Sequence, residues 1–167
     1  MPRHYIGHRT LVLPPLNYCC IIWGNNYESQ LHKLLILQKR AVRLIEYVYP
    51  PHSSEPIFKK HNILKLADIG KLQLLLDMHK FITKQLPEAF NNLYKIHISN
   101  EPRRRQILHM NQPHSNRNYR RFTSAWLGPK LWNDIMTPLY TFLDFIHTSK
   151  ITVNNAIRRH FIDTYNT

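Results

Sequence analysis

The chain has 167 residues, of which 43% are apolar, and a formal net charge of +13 at pH 7 with a pI of about 10.0. This apolar content can bury a core and excludes wholesale disorder. The charge favours a polyanion as partner, either nucleic acid or an anionic membrane surface, unless the basic face serves only solubility. Nucleic acid is the favoured partner, because strongly basic small domains commonly carry this footprint.

Cysteine and histidine usage predicts neither a disulfide framework nor a metal site. The two cysteines, Cys19 and Cys20, are adjacent, and no CxxC or CxxxH pattern supplies zinc ligands. We therefore expect an intracellular protein without a cofactor. No apolar run reaches the ~20 residues of a membrane span. Met1 to Thr10 also lacks the apolar core of a secretory signal, so no membrane partner is predicted.

The first predicted elements are helical. Leu11 to Trp23 is apolar but contains Pro14 and Pro15, which predicts two short pieces or one kinked helix. Tyr27 to Val48 is the strongest helix signal, ended by Pro50 and Pro51. Its apolar residues cover about half of the circumference at 100° per residue. The remaining arc is basic and contains Lys33, Lys39, Arg40 and Arg43.

Two further helices are predicted before residue 95. Ser53 and Ser54 mark the start of a short helix that extends through Lys60. Leu66 to Leu86 has apolar residues nearly all round the helical wheel, which predicts the buried central helix of a small bundle stopped by Pro87.

From about Ile96 the composition becomes polar, proline-interrupted and rich in arginine. Phe122 to Leu127 is predicted as one short strand, and Gly128-Pro129 as a turn or a helix start. Short helices are then predicted at Lys130 to Ile135, Leu139 to Ile146 and Val153 to Tyr165. The predicted fold class is therefore mainly α, with a helical bundle followed by an irregular basic segment and C-terminal helices.

The sequence lacks the residue patterns on which enzyme catalysis usually depends. A two-metal polymerase or nuclease needs clustered carboxylates, whereas the ten acidic residues here are dispersed. Walker A, GxGxxG and GxSxG patterns are all missing. We predict no catalytic residues and no activity for this chain alone.

Several motifs resemble one known family. They occur in this order along the chain: Leu16-Asn17-Tyr18-Cys19, Ile22-Trp23-Gly24, the run Leu34 to Leu44, Phe58 to Leu64 and Gly128-Pro129-Lys130-Leu131-Trp132-Asn133. This series is similar to the region after the palm in reverse transcriptases of jockey-like non-LTR retrotransposons (LINEs), and the similarity covers roughly Leu11 to Ile162. The "Y-x-T-R" element of the family is replaced here by Glu101 to Arg105, and Met1 to Thr10 matches poorly.

The resemblance implies an assignment for each segment. Residues 1–10 are a poorly matched start, 11–95 a thumb-like helical bundle, 96–127 a basic linker segment and 128–167 the GPKLWN motif with C-terminal helices. The parent protein is an RNA-directed DNA polymerase whose palm, with its Mg²⁺, and endonuclease are missing here. The implied partners are RNA or an RNA–DNA hybrid and those missing domains, in a nuclear or cytoplasmic ribonucleoprotein.

Candidate contacts follow from charge and aromatic content. Cations that hold a duplex backbone position it without reading sequence, and arginines and aromatics stack on unpaired bases. The predicted nucleic-acid-binding residues are Lys39, Arg40, Arg43, Arg103, Arg104, Arg105, Arg117, Arg120, Arg121, Trp126 and Lys130. The motif residues predicted to be structural are Gly128, Pro129, Leu131, Trp132 and Asn133. The alternative hypothesis is a helical protein-interaction module with a solvated basic surface.

Overall fold

The structure is a computed structural model that describes residues 7–99, 107–137 and 148–166. The described chain is mainly helical with one small two-stranded sheet, which confirms the predicted fold class. The α-helices are α1 (Leu13–Asn17), α2 (Cys20–Trp23), α3 (Glu28–Glu46), α4 (Glu55–Lys60), α5 (Leu66–Ile82), α6 (Ser124–Leu131) and α7 (Lys150–Asp163). Short π-helical segments span His8–Val12 and Trp132–Met136, and 3-10 segments span Glu88–Phe90, Asn118–Phe122 and Thr164–Asn166.

The chain divides into two compact units, and the divisions fall within α5 and α7. The first unit consists of the described parts of Met1–Lys71 and Ala156–Thr167. In this unit α3 contacts α4 and the π-helical segment His8–Val12, and α4 contacts the 3-10 segment Thr164–Asn166. Its most buried large side chains are Gln38, Val42, Phe58, Leu66 and Ile157.

The second unit is Leu72–Asn155. It contains an antiparallel hairpin of β1 (Ile96–Ser99) and β2 (Ile107–Met110), with Ile96 opposite Met110 and Ser99 opposite Ile107. α6 contacts β2 and the adjoining 3-10 and π-helical segments. Its most buried large side chains are Leu74, Leu75, Met78, Met136 and Val153.

The predicted apolar N-terminal stretch forms two short α-helices, as expected, but the prolines do not separate them. Pro14 and Pro15 lie in the first turn of α1, where proline is tolerated. The interruption falls at Tyr18 and Cys19, and Cys19 has a left-handed backbone with φ 50°.

The buried central helix is confirmed as α5, whose residues Leu72, Leu75 and Met78 are all buried. It ends earlier than predicted, and Pro87 is not what stops it. Lys84 adopts a left-handed conformation with φ 55°, and the Gln85 N–H donates to the Lys80 carbonyl at 2.8 Å. This closing turn is a helix C-cap geometry that satisfies a terminal carbonyl.

The strand predicted at Phe122 to Leu127 is wrong. Phe122 ends a 3-10 segment, Thr123 is extended, and its carbonyl accepts the Trp126 and Leu127 N–H groups at 3.1 and 2.9 Å, which starts α6. The β-structure lies instead at β1 and β2, which were not predicted. The predicted helix Leu139 to Ile146 lies outside the described residues. None of the described helices has the length and apolarity needed to cross a membrane.

Candidate nucleic-acid interface

In the second unit, two of the predicted cations, Arg121 and Lys130, lie close to Trp126. The 3-10 segment Asn118–Phe122 leads directly into α6, so residues on both are close in space. The Arg121 Cζ atom lies 6.0 Å from the centroid of the Trp126 ring, and the Lys130 Nζ atom lies 5.6 Å from it. We call Arg117, Arg120, Arg121, Trp126 and Lys130 the Trp126 cluster.

The cations of this cluster face solvent. Arg117, Arg120, Arg121 and Lys130 are exposed, and Trp126 is half-buried. Nη1 of Arg117 donates to the Tyr119 hydroxyl at 3.4 Å, and Tyr119 is itself 63% exposed. Residues 117–130 therefore carry the four accessible positive charges of the cluster together with two aromatic rings, Tyr119 and Trp126.

Four of the described carboxylates pair with cations outside the Trp126 cluster. Within the described residues, ion pairs join Glu46 to Lys60 and His61, Glu55 to Lys65, Asp68 to Lys71 and Asp77 to Lys80. In that same part of the chain, no carboxylate pairs with a cation of the Trp126 cluster. Within the described residues, the positive charges of the cluster are therefore not neutralised by an ion pair.

The basic residues of α3 lie in the first unit, and they differ in exposure and in hydrogen bonding. Arg40 is exposed, whereas Lys39 and Arg43 are half-buried. Nε of Arg43 donates to the His52 carbonyl at 3.3 Å. A hydrogen bond and the charge of Lys65, with a smaller effect of Lys39, lower the pKa of Glu55. Of the predicted nucleic-acid-binding residues on α3, Arg40 is therefore the exposed one.

Arg103, Arg104 and Arg105 lie outside the described residues, so their predicted role stays a prediction.

The GPKLWN motif lies in α6 and in the π-helical segment after it, not in a turn. Gly128 and Pro129 are inside the helix, because α6 begins four residues earlier than Gly128, at Ser124. A Cβ on Gly128 would lie 2.9 Å from the Met78 sulfur, so a larger residue here would require the Met78 side chain to shift. Trp132 is 2% exposed, and its Nε1–H donates to the Leu108 carbonyl at 3.3 Å.

Asn133 has a role that the sequence reasoning did not identify. Its Oδ1 accepts the Met110 N–H at 3.0 Å, and its Nδ2 donates to the Met110 carbonyl at 2.9 Å. The side-chain amide thus replaces a neighbouring strand at the outer edge of β2. Leu131 is also buried, at 9% exposure. Trp132 and Asn133 of the motif thus bind the backbone of β2, next to the helix that carries Trp126 and Lys130.

Among the described residues, no three histidine, cysteine or acidic side chains cluster as a metal site would require. Comparison of the chain with protein-family models, with curated proteins and with solved structures finds no match.

Proposed function

We propose that this chain is the thumb and post-thumb part of a retrotransposon reverse transcriptase, and that it binds the backbone of RNA or of an RNA–DNA hybrid. The ordered motif series from Leu16 to Asn133 supports the family assignment. The observation that carries the binding proposal is the Trp126 cluster, with cations that no described carboxylate neutralises.

The proposed role is positioning. Arginine and lysine contacts to phosphate oxygens set register and orientation but carry no sequence information. Trp126 and Tyr119 add flat surfaces on which unpaired bases stack regardless of identity. The chain by itself does not catalyse polymerisation in this proposal, because the carboxylates and the Mg²⁺ belong to the palm of the parent enzyme.

Salt-dependent binding tests the proposal. Fluorescence anisotropy of a labelled single-stranded RNA and of an RNA–DNA hybrid would be measured between 50 and 200 mM salt. If about four to six phosphates are neutralised, affinity should fall on the order of 10²- to 10³-fold over this range. Polymerase activity is tested separately by primer extension, in which no templated incorporation above background is expected.

A charge-matched pair of variants separates a site from general basicity. The cluster variant replaces Arg117, Arg120, Arg121 and Lys130 with alanine. The control replaces four other exposed cations with alanine, namely Lys59, Lys84, Lys95 and Arg159. Both remove four charges, but only the cluster variant should lose most of the affinity and flatten the salt slope. Equal behaviour of the two variants would favour the alternative, a helical interaction module with a solvated basic surface.

Single substitutions then assign the roles within the cluster. Trp126→Leu should weaken binding of single-stranded RNA by about 1–3 kcal/mol but barely alter binding of the hybrid, whose bases are already stacked. Arg103, Arg104 and Arg105 would be replaced together in a further variant. An unchanged salt slope in that variant would remove them from the proposed interface.

A further inference from the structure

The apolar arc of α3 is only partly covered in the first unit. Val42 and Ile45 are buried at 0% and 4% exposure, together with Gln38 at 2%. Three leucines of the arc are exposed within the described part of the chain: Leu34, Leu37 and Leu44 are 38%, 56% and 60% exposed. We call these three leucines the α3 leucine stripe.

The α3 leucine stripe has the spacing of a helix-pairing seam. Its members are separated by three and seven residues, and the half-buried Ala41 lies four residues after Leu37. This is the a/d pattern by which one helix packs against another. The stripe extends for roughly 15 Å along α3, at 1.5 Å per residue. Contiguous exposed apolar residues of this kind mark interaction surfaces more often than scattered ones do.

A pocket of about 180 Å³ lies at the C-terminal end of the stripe. Leu44, Tyr47, Tyr49 and Pro50 line it, together with Arg40 and Arg43. An apolar cavity of about 150 Å³ accommodates benzene, so one aromatic or leucine side chain fits this pocket. The two arginines provide hydrogen-bond donors for a carboxylate beside that side chain.

The flank of the stripe is basic. Lys33 and Arg40 are seven residues apart, which places them on the same side of α3, and both are exposed. In the described part of the chain neither pairs with a carboxylate, and Glu46 on the same helix is taken by Lys60 and His61. Charged residues at such flanking positions select the partner of a helix pair.

We propose that the α3 leucine stripe docks an acidic amphipathic helix of a partner protein. The partner would present leucines in the a/d pattern, glutamates or aspartates opposite Lys33 and Arg40, and one bulky apolar side chain to the pocket. A second copy of the chain is disfavoured, because antiparallel pairing would bring the two basic flanks together. RNA is also disfavoured, because leucine side chains offer phosphate no hydrogen bond. This inference does not depend on the proposed RNA binding.

The test uses three fluorescent peptides of equal length at concentrations where each is monomeric. The first has leucines in the a/d pattern and glutamates at the flanks, the second is its scrambled sequence, and the third has lysines at the flanks. Anisotropy of each would be measured against the full chain and against Leu37→Gln and Leu44→Gln. Ile151→Gln is the matched control, since Ile151 is 73% exposed on α7. Circular dichroism confirms that each variant keeps its helix content.

The glutamate peptide should bind, and each stripe substitution should weaken it about tenfold, as expected for losing one buried leucine contact. The Ile151→Gln control should bind normally, and the scrambled and lysine peptides should bind at least tenfold more weakly. The proposal is overturned if the stripe substitutions or the scrambling of the peptide leave the binding affinity unchanged, because general charge attraction would then explain the binding.

Two other outcomes would assign the stripe to a different occupant and also overturn the proposal. One is a concentration-dependent dimer, seen by sedimentation, that Leu37→Gln abolishes. The other is loss of RNA affinity in the stripe variants while the glutamate peptide fails to bind. Failure of the proposed function would give a different result, since it would be seen only in the RNA affinity of the Trp126 cluster variants and not in peptide binding.

Discussion

Tyr165 ties the end of the described chain to the start of α5. Its hydroxyl donates to Asp68 Oδ2 at 2.6 Å and accepts the Lys65 N–H at 2.9 Å, and Lys65 Nζ lies 4.3 Å from its ring centroid. Burial, together with the charge of Asp68, raises the pKa of Tyr165 well above its ordinary value. The hydroxyl therefore remains a donor throughout the pH range in which proteins are studied.

Tyr165→Phe should lower the free energy of unfolding by about 2 kcal/mol, because it leaves a buried carboxylate and a backbone N–H each without one partner. Urea denaturation at pH 7 measures the change. Tyr119→Phe is the control, since that hydroxyl is exposed and its loss should stay within about 0.5 kcal/mol. A similar loss in both variants would contradict the assigned role.

His8 is a second residue whose environment has a measurable consequence. It is 4% exposed, and in the described part of the chain neither ring nitrogen has a hydrogen-bond partner. Burial, and to a lesser degree the neighbouring His61, lower the pKa of His8 below its ordinary 6.5. The folded state thus keeps this imidazole neutral where the unfolded chain would protonate it.

Stability should consequently fall as the pH drops below about 6.5, because there the unfolded state binds the additional proton. Urea titrations at pH 7, 6 and 5 measure this loss. His8→Leu should reduce the pH dependence, whereas His114→Leu, at an exposed position, should leave it unchanged. The prediction is wrong if the His8→Leu protein has the same pH slope as the wild type.

At the scale of elements, side chains of the π-helical segment Trp132–Met136 and of Thr137 bind the backbone of β2. Asn133 bonds both polar groups of Met110, and Trp132 and Thr137 both donate to the Leu108 carbonyl, at 3.3 and 3.4 Å. The outer edge of β2 is therefore occupied by side chains instead of by a third strand. Such covering protects an edge that would otherwise pair with another chain.

Asn133→Ala should cost about 1–3 kcal/mol of stability, because both backbone groups of Met110 lose their partner. Hydrogen exchange should show faster exchange of the Met110 amide, in addition to the lower unfolding free energy. Asp134→Ala is the neighbouring control, since Asp134 is exposed and should change neither quantity. Unaltered exchange at Met110 would show that Asn133 does not hold the strand edge.

At the scale of the whole molecule, the protein carries more positive charge than the ion pairs of the described residues neutralise. The net charge is +13, and the ion pairs of the described residues involve only four carboxylates, Glu46, Glu55, Asp68 and Asp77. Mutual repulsion among the remaining cations destabilises a compact state. Added salt screens this repulsion, with a Debye length of about 10 Å at 0.1 M.

Raising NaCl from 20 to 200 mM should therefore stabilise the protein by on the order of 1 kcal/mol. Thermal unfolding followed by circular dichroism measures the shift of the midpoint. The variant with alanine at Lys59, Lys84, Lys95 and Arg159 should gain less from salt, because it carries four fewer charges. A midpoint that falls with salt would mean that attractive ion pairs outweigh the repulsion.

Local sequence patterns predicted the mainly helical class and the long helices α3 and α5, and they placed several arginines near Trp126 in the sequence. Periodicity and charge are local properties, so a 3.6-residue repeat predicts a helix before any packing is known. The tertiary structure decided the hairpin, the helical placement of Gly128 and Pro129, and the double hydrogen bond of Asn133 to Met110. It also decided that Val42 and Ile45 of the α3 apolar arc are buried while Leu37 and Leu44 are exposed. These features depend on contacts between residues far apart in the chain, and amphipathic periodicity cannot specify which part of a wide apolar arc a neighbour will cover.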